Sequence, residues 1–443
     1  MTRYLIIGTG VASLAAMEAI REVDAGGELT VVGDDPHGYY SRPGLAYYLT
    51  SEITEALLRP YQPEAYNRLR ARTVQGHVTR ILAGEHEVEI DGSMWVPYDR
   101  LLIATGASAL PLDVPGADLD GVMKLDHLED AKRIVKRARR SRTAIVLGGG
   151  ITALELVEGL KARHLRVHYL LRGERYWASV LDAAESRIVE QRLQKEGVVL
   201  HYRTEVAEVL GRKSLFGRRS KVAGVRTTAG QVMKCDLLVY AVGIAPKISL
   251  AQEAGIACDR GILTDVNMQT NLPDVFAAGD VAQVFDPASG AAVLDSLWGP
   301  ARQQGRTAGL NMAGQPAVYT KPTPFNVTRL AGLTTTIIGR VGMGRDPDLL
   351  GIARGDSETW RQRPDAIIAQ TGFDVNRLRI MVGEKVLLGA IVMGDQGLSS
   401  PLETLIRDRV DISAIRDRLL EPGAQVADIL GGFWAARGLP HAA

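Results

Sequence analysis

Two glycine turns of the same kind constrain this chain more than any other feature of its sequence. Each turn follows an apolar run rich in β-branched residues and opens a segment with the apolar spacing of a helix. The small residues of the two turns are Gly8, Gly10 and Ser13 in the first, and Gly148, Gly150 and Ala153 in the second. The first glycine makes the bend, the second lets the backbone approach a pyrophosphate, and the third small residue lets helix pack on strand. Two such turns predict two bound dinucleotides, with electrons passing between them.

The composition is that of an ordinary globular chain of 443 residues, long enough for two or three domains. A formal net charge of +1 provides no general attraction for nucleic acid or anionic lipid. A strand pattern begins almost at once and no apolar run reaches about 18 residues, so neither a signal peptide nor a membrane-spanning helix is expected. Two cysteines, Cys235 and Cys258, predict a cytoplasmic protein with no disulfide scaffold, iron–sulfur cluster or structural metal.

The order of strand and helix patterns predicts an α/β fold with two Rossmann-like dinucleotide-binding domains, one inserted in the other, and a C-terminal α+β domain. We place the first domain at residues 1–112 and 248–320, because the strand pattern resumes after the second unit. The inserted domain is predicted at 113–247. The third domain, at 321–443, has no glycine turn of this kind.

Four local patterns give the sharpest element predictions. Residues 3–7 form a strand, and residues 11–23 form the helix that follows the first turn. A helix rich in lysine and arginine is predicted over 130–142. A further helix is predicted to start near Pro300, because proline suits a first helical turn, and Trp298 is expected just before it.

Five short motifs occur in order along the chain and resemble those of the pyridine nucleotide–disulfide oxidoreductases. They are Gly8 with Gly10; Ala104, Thr105 and Gly106; Gly148 and Gly150 with Glu155; Gly243 with Pro246; and Ala278, Gly279 and Asp280. The blocks at residues 40–43, 325–330 and 389–395 resemble one branch in particular. This branch contains the rubredoxin and ferredoxin reductases and the flavin-bearing portion of NAD(P)H nitrite reductases.

The resemblance implies that the first turn binds FAD and the second binds the nicotinamide nucleotide. The residues implied for FAD are Gly8, Gly10, Ser13, Asp34, Asp35, Arg42, Pro43, Ala104, Thr105, Gly106, Gly279, Asp280 and Trp298. Those implied for NAD(P) are Gly148, Gly150, Ile151, Thr152, Glu155, Arg172, Arg175 and Gly243. The residues implied at the reacting centre are Glu155, Tyr47 and Pro43.

Several of these residues also have simpler interpretations. Asp280 is expected to contact the ribityl–pyrophosphate region, but it could be the N-cap of a following helix. One of Asp34 and Asp35 is expected to bind the ribose, although both could lie in a solvated loop. Arg42, expected at the pyrophosphate, could be a surface charge. Trp298, expected at the flavin edge, could be a core residue.

Two positions depart from the family pattern. Pro43 stands where a related branch carries a single redox cysteine, so disulfide and cysteine peroxidase chemistry are disfavoured and electrons must leave the chain. Tyr47 stands at a position where relatives often carry a lysine that pairs with the glutamate here numbered Glu155. We expect Glu155 to position the nicotinamide carboxamide or to gate entry, with Tyr47 as a neutral partner; the alternative is a glutamate on a helix surface.

The nucleotide preference depends on the residues after the strand that ends near position 170. An acid that would favour NADH is missing, because its position is Leu171. Arg172 and Arg175 could hold a 2′-phosphate, but Glu174 lies close to both. We favour NADH, because relatives in the nitrite reductase branch also lack this acid, and use of both nucleotides stays open.

The leading hypothesis is an FAD-dependent NAD(P)H oxidoreductase that feeds a one-electron carrier such as a ferredoxin or rubredoxin, or a partner reductase subunit. The alternatives are an NADH oxidase that produces peroxide and a non-catalytic flavoprotein subunit of a larger complex. Basic stretches at 132–142 and 212–221 could dock an acidic redox partner, or could be solvated surface. An apolar face at 426–434 could contact a partner subunit, form a homodimer or be core.

Overall fold

The computed structural model describes residues 1–60, 68–212, 220–287, 289–341 and 376–437. These residues fall into two compact units. The first unit comprises Met1–Leu112, Lys124–Ile134 and Ala241–Lys321, and the second comprises Asp113–Met123, Val135–Tyr240 and Pro322–Ala443. Parallel sheets with intervening helices confirm the predicted α/β fold class. The boundaries of the three predicted domains stay a prediction.

The described strands are numbered in chain order. They are β1 (Arg3–Ile7), β2 (Glu28–Gly33), β3 (Ala71–Gln75), β4 (Val78–Leu82), β5 (Glu87–Ile90), β6 (Met94–Pro97), β7 (Arg100–Ile103), β8 (Ala107–Ala109), β9 (Val122–Lys124), β10 (Thr143–Leu147), β11 (Arg166–Leu170), β12 (Val199–His201), β13 (Val206–Arg212), β14 (Lys221–Thr227), β15 (Val232–Lys234), β16 (Leu237–Tyr240), β17 (Ile244–Pro246), β18 (Ile262–Leu263), β19 (Val275–Ala277), β20 (Ala282–Asp286), β21 (Ala291–Leu294), β22 (Phe325–Leu330), β23 (Leu333–Gly339), β24 (Arg377–Val382) and β25 (Leu387–Met393).

The described helices are numbered in the same way. They are α1 (Val11–Val23), α2 (Leu45–Leu49), α3 (Leu128–Ala138), α4 (Ile151–Lys161), α5 (Ala183–Lys195), α6 (Ser249–Glu253), α7 (Trp298–Met312), α8 (Ser399–Arg407), α9 (Ser413–Leu420) and α10 (Val426–Ala435), with a 3-10 turn at Glu55–Leu58. Across the described ranges, none of the helices combines the length and the apolar character needed to span a membrane.

A five-stranded parallel sheet in the order β19-β7-β1-β2-β3 forms the centre of the first unit. Its central strands β7, β1 and β2 are largely apolar and buried, as expected of a parallel sheet covered on both faces, whereas the edge strand β3 is mostly exposed. Ile7 pairs with both Val32 and Ile103, and Ile103 also pairs with Ala277. The carboxyl ends of four strands therefore meet at one edge, where ligands bind in open α/β sheets.

Helices α1 and α7 pack so closely that two glycines are required between them. A Cβ atom added to Gly305 would lie 2.1 Å from the carbonyl oxygen of Ala12, and one added to Gly309 would lie 2.5 Å from that of Ala16. No side chain can be accommodated at these distances. Backbone contact between the helices thus fixes α7 against the helix that follows the first glycine turn.

The second unit contains a sheet in the order β12-β11-β10-β16-β9. Strand β10 pairs in parallel with β11 and β16, so that Leu147 lies opposite both Leu170 and Tyr240. The residues that follow these strands again meet at one sheet edge. The second glycine turn therefore repeats the arrangement of the first.

The C-terminal part of the second unit is an antiparallel sheet in the order β22-β23-β25-β24, accompanied by helices α8, α9 and α10. The α+β character predicted for this part is confirmed. In α10, Leu430 and Trp434 are buried in an apolar cluster with Leu402 and Leu405 of α8. These two side chains of the apolar face at 426–434 are therefore core.

An ion-pair cluster joins β24 to the start of α5 within the second unit. Asp182 and Glu185 form a capping box at the N-terminus of α5. Arg379 places Nε 2.9 Å from Oε1 of the fully buried Glu185 and donates Nη2 to the carbonyl oxygen of Val180 at 2.7 Å. Arg377 pairs with Asp182 at 2.6 Å. Charge pairing therefore holds the C-terminal sheet to this helix.

Two helix boundaries differ from the predictions. Trp298 is the first residue of α7 rather than a residue before it, although Pro300 does lie in the first turn as expected. Leu297, which precedes the helix, forms no side-chain cap, so the sequence carries no start signal there. The basic helix α3 begins two residues earlier than predicted and ends at Ala138.

Candidate nucleotide-binding sites

The first turn requires glycine at its first position. Gly8 has φ +116° and donates its N–H to the carbonyl oxygen of Val32 at 2.7 Å. A Cβ atom here would lie 2.2 Å from the carbonyl oxygen of Ala104. The left-handed backbone and this close crossing both exclude a side chain, so the turn brings the end of β1 directly against the Ala104, Thr105 and Gly106 motif.

The N-terminus of α1 suits an anionic ligand. Gly10 is the N-cap, in an extended conformation and without a side-chain cap, and a Cβ atom there would have no other heavy atom within 4 Å. The hydroxyl of Ser13 is fully buried and has no hydrogen-bond partner among the described residues. The backbone N–H groups at this helix end, the open space beside Gly10 and the buried hydroxyl of Ser13 could all serve a ligand. These features fit the pyrophosphate of a dinucleotide.

The Gly279 and Asp280 motif follows β19 at the same sheet edge. Gly279 has φ +82° and donates its N–H to Oε1 of Gln304 at 2.8 Å. Asp280 is half-buried, and the element that follows it is strand β20. The alternative that Asp280 caps a helix is therefore wrong. Its predicted contact with FAD stays a prediction.

Arg42 lies beside a buried carboxylate. Its Nη1 is 3.8 Å from Oδ1 of Asp126, and Oδ2 of the same carboxylate accepts the N–H of Ala109 at 3.1 Å. Burial alone would raise the pKa of Asp126, but Arg42, the Ala109 N–H and Lys124 hold it below its ordinary value. The next residue, Pro43, is buried. Arg42 is therefore paired with an acid while 40% of its side chain stays exposed, and its contact with the pyrophosphate stays a prediction.

The two candidate ribose acids follow β2 but differ in their surroundings. Asp34 is largely exposed and lies 3.5 Å from Nδ1 of His77, which is also exposed. Asp35 accepts the N–H of His37 at 2.9 Å. Asp34 thus matches the solvated-loop alternative, while Asp35 is tied into the turn. The ribose contact stays a prediction for both.

Trp298 is half-buried at the start of α7. Its indole Nε1 lies 3.4 Å from the hydroxyl of Tyr39, and the guanidinium of Arg302 lies 5.9 Å from its ring centroid. The ring is thus partly accessible and is not a fully buried core side chain. Its place at the flavin edge stays a prediction.

The second turn repeats the features of the first. Gly148 has φ +136°, and Gly150 is an extended N-cap of α4 where a Cβ atom would meet no other heavy atom within 4 Å. Ile151 is buried and Thr152 is half-buried in the first turn of the helix. Ala153 is fully buried, as expected where helix packs on sheet. The same chemistry therefore suits a second pyrophosphate.

Glu155 lies on α4 with 7% of its surface exposed. The alternative of a helix-surface glutamate is therefore wrong. Tyr47 lies on the short helix α2 and is half-buried. Their predicted pairing, and the part that Glu155 plays at the nicotinamide, stay predictions.

The loop after β11 presents charges to solvent. Leu171 is buried, whereas Arg172 is exposed. Glu174 pairs with Arg203 rather than with the neighbouring arginines, and Arg175 donates Nη2 to the carbonyl oxygen of Ala178 at 3.4 Å. Glu174 is thus partly neutralised by a residue that the local sequence did not indicate.

Gly243 follows β16 and has φ +129°. It accepts the N–H of Leu110 at 3.0 Å and precedes β17, which pairs with β8. Gly243 therefore lies beside the strand that continues from the Ala104 motif. Its predicted contact with NAD(P) stays a prediction.

Part of the first basic stretch is neutralised within the chain. Lys132 pairs with Glu55 at 3.0 Å, and Arg137 pairs with Asp120 at 3.1 Å. These ion pairs reduce the charge that could attract an acidic partner. Of the second stretch, residues 213–219 lie outside the described residues.

Sequence reasoning missed four buried polar residues near these turns. They are Asp126, Asp295, Gln304 and Tyr319. Each reaches its partner across at least fifteen residues of chain, and none belongs to a recognisable motif. Of the four, only Asp295 carried a local signal, as an acid that directly follows the apolar run of residues 291–294.

Comparison with known proteins places these features in a family. The model of the family described as pyridine nucleotide-disulphide oxidoreductase matches residues 2–305. The chain is 26% identical over 429 residues to nitrite reductase [NAD(P)H] of Bacillus subtilis (strain 168), covering 96% of this chain and 50% of that protein. The chain therefore spans about half the length of this relative.

A second relative matches over its full length. The chain is 28% identical over 440 residues to the NADH-dependent phenylglyoxylate dehydrogenase subunit epsilon of Aromatoleum evansii, covering 98% of each. Among solved structures, a ferredoxin reductase from Rhodopseudomonas palustris superposes with a TM-score of 0.80 at 20% identity, covering 97% of this chain and 99% of that one. The last comparison concerns the fold alone.

Proposed function

Because this chain belongs to the pyridine nucleotide-disulphide oxidoreductase family, we propose that it is an FAD-dependent NAD(P)H oxidoreductase that delivers electrons to a protein outside the chain. The observation that carries the proposal is the repeated geometry of the two glycine turns. Each lies at the carboxyl edge of its own parallel sheet, before an uncapped helix N-terminus. The cofactors of this family are FAD and NAD(P)H, and the two turns supply one site for each.

Bound NAD(P)H and FAD would supply hydride transfer and one-electron release, the chemistry of these two cofactors. The residues of the chain provide binding and electrostatics. The N-terminus of α7, which has no side-chain cap, would place its positive end toward the flavin pyrimidine and stabilise negative charge there. Arg42, beside Asp126, would contact the pyrophosphate, and the buried Pro43 would pack against the flavin ring.

The properties of the two cysteine thiols support the proposal of an electron acceptor outside the chain. Burial raises the pKa of Cys235 to about 12 and also raises the pKa of Cys258. A thiol that stays protonated at neutral pH is a poor nucleophile and does not readily form the disulfide or sulfenic acid that could accept electrons from a flavin. Both cysteines are free, which also supports the proposal of a cytoplasmic location.

The full-length match to a dehydrogenase subunit favours a protein acceptor. We therefore propose a ferredoxin-like or rubredoxin-like carrier, or a partner reductase subunit. An NADH oxidase and a non-catalytic flavoprotein subunit are the competing functions. We propose NADH as the preferred donor, because the full-length relative is named as NADH-dependent. NADPH stays the competing donor, since Glu174 pairs with Arg203 and not with the exposed Arg172.

Steady-state turnover separates these functions. With NADH and ferricyanide, a one-electron acceptor, the reductase is expected to turn over at about 1–10³ s⁻¹, the usual range for enzymes. Oxygen consumption without ferricyanide is expected to be much slower. The Gly150→Ala variant, whose Cβ would occupy the approach to α4 without a clash, should keep its flavin and raise the KM for NADH.

Equal turnover rates with oxygen and with ferricyanide would favour the NADH oxidase over the reductase as the function of this protein. A flavin-containing protein that turns over with neither acceptor would favour the non-catalytic subunit. Co-purification with a stoichiometric partner would then identify the complex.

A further inference from the structure

A chain of buried polar groups leads away from the Gly279 and Asp280 turn. The N–H of Gly279 is donated at 2.8 Å to Oε1 of Gln304, which is fully buried on α7. Nε2 of Gln304 donates in turn to the hydroxyl of Tyr319 at 3.4 Å. A hydrogen bond to Gln304, which is itself bonded to Tyr319, therefore fixes the turn that carries Asp280.

The chain ends at a buried carboxylate. The hydroxyl of Tyr319 hydrogen-bonds to Asp295, which follows β21 and has 4% of its surface exposed. Nζ of Lys321, whose side chain is also largely buried, lies 4.0 Å from Oδ2 of Asp295. Tyr319 and Lys321, which belong to one segment of the first unit, thus both approach this acid.

Several charges act on Asp295. Burial is the main cause that raises its pKa to about 6, and the negative charges of Asp280 and Asp286 act in the same direction. Lys321 and the hydrogen bond from Tyr319 oppose them. Asp295 therefore changes charge in a range where an ordinary aspartate is already ionised.

Ionised Asp295 fixes the direction of every hydrogen bond in the chain. A carboxylate only accepts, so Tyr319 must donate to it. The oxygen of Tyr319 is then left to accept from Nε2 of Gln304, which turns Oε1 of Gln304 toward the N–H of Gly279. Bonds aligned in this way strengthen one another, and a neutral Asp295 removes the charge that aligns them.

We propose that Asp295 is a positioning residue for FAD, acting through Tyr319 and Gln304 on the Gly279 and Asp280 turn. The inference rests on the proposed function in so far as this turn contacts FAD. Asp295 itself does not touch the reacting atoms. Its ionised form keeps the turn in the geometry that binds the cofactor.

The test measures the dissociation constant of FAD from the full-length holoprotein between pH 5 and pH 8, by the flavin fluorescence released on dilution. In the unmodified protein, the dissociation constant is expected to rise about tenfold as the pH falls through about 6, which corresponds to one charge-assisted hydrogen bond. The Asp295→Asn variant should bind FAD about tenfold more weakly at pH 8, with no transition near pH 6. The Tyr319→Phe variant, which keeps the charge but breaks the chain, should behave in the same way.

Asp286→Asn is the matched control, since it removes a nearby charge without interrupting the chain. It should keep the FAD affinity at pH 8 and move the transition to lower pH, because one negative charge fewer acts on Asp295. Thermal unfolding of each apoprotein separates a loss of FAD affinity from a loss of stability. Unchanged FAD affinity and an unchanged pH transition in both Asp295→Asn and Tyr319→Phe would overturn the inference. Failure of the proposed function would be seen separately, as bound flavin that neither NADH nor NADPH reduces.

Discussion

Replacing Arg379 by methionine is expected to lower the free energy of unfolding by about 3–5 kcal/mol. The substitution removes the nearer cation of the fully buried carboxylate of Glu185, at 2.9 Å, and leaves Arg377 at 3.9 Å without a hydrogen bond to it. It also removes the hydrogen bonds that Arg379 donates to the carbonyl oxygens of Val180 and Val341. Urea denaturation followed by tryptophan fluorescence measures the effect.

Arg377→Met is the matched control on the same strand. Arg377 pairs with the partly exposed Asp182, so its loss is expected to cost about 1 kcal/mol. Adding Glu185→Gln to Arg379→Met should recover much of the stability, because glutamine keeps the capping box and removes the buried charge. Equal losses for Arg379→Met and Arg377→Met would contradict the account of a burial-dependent ion pair.

Replacing Gly8 by alanine is expected to weaken FAD binding by about 100-fold and to lower the melting temperature of the apoprotein. A residue with a side chain is strained at φ +116°, and its Cβ would meet the carbonyl oxygen of Ala104 at 2.2 Å. Strain and overpacking each cost about 1–3 kcal/mol, and about 1.4 kcal/mol corresponds to a tenfold change in affinity. Titration of the apoprotein with FAD and thermal unfolding measure the two effects.

Gly10→Ala provides the comparison within the same turn. Gly10 has an extended backbone, and a Cβ atom there meets nothing within 4 Å. This variant should keep the stability of the apoprotein and lose FAD affinity alone, because the methyl group occupies the approach to the helix N-terminus. A Gly8→Ala protein as stable as Gly10→Ala would show that the crossing at Ala104 does not constrain the turn.

The parts of the molecule that could be predicted from the sequence are those whose signal is local. Strand β1 and helix α1 begin and end at the predicted residues, because a glycine turn separates a β-branched run from a helical pattern. The start of α7 was missed by two residues, because Leu297 provides no side-chain cap. Local patterns thus located elements well wherever a turn or a cap marked the boundary.

The parts that could not be predicted depend on contacts between distant residues. Asp126 was not singled out, although it binds Ala109 and pairs with Arg42. The basic stretch appeared continuous in sequence, yet Lys132 is paired with Glu55 from a much earlier segment of the same unit. Buried acids and long-range ion pairs have no periodicity, so only the folded arrangement identifies them.

Anaerobic mixing with NADH tests the central claim most directly. Under the proposed function, the visible absorption band of the bound flavin is expected to disappear within the time of one turnover, because bound NADH would reduce it. NADPH is expected to act more slowly. A bound flavin whose band is unchanged after mixing with either nucleotide would contradict the proposal that this chain is an FAD-dependent NAD(P)H oxidoreductase.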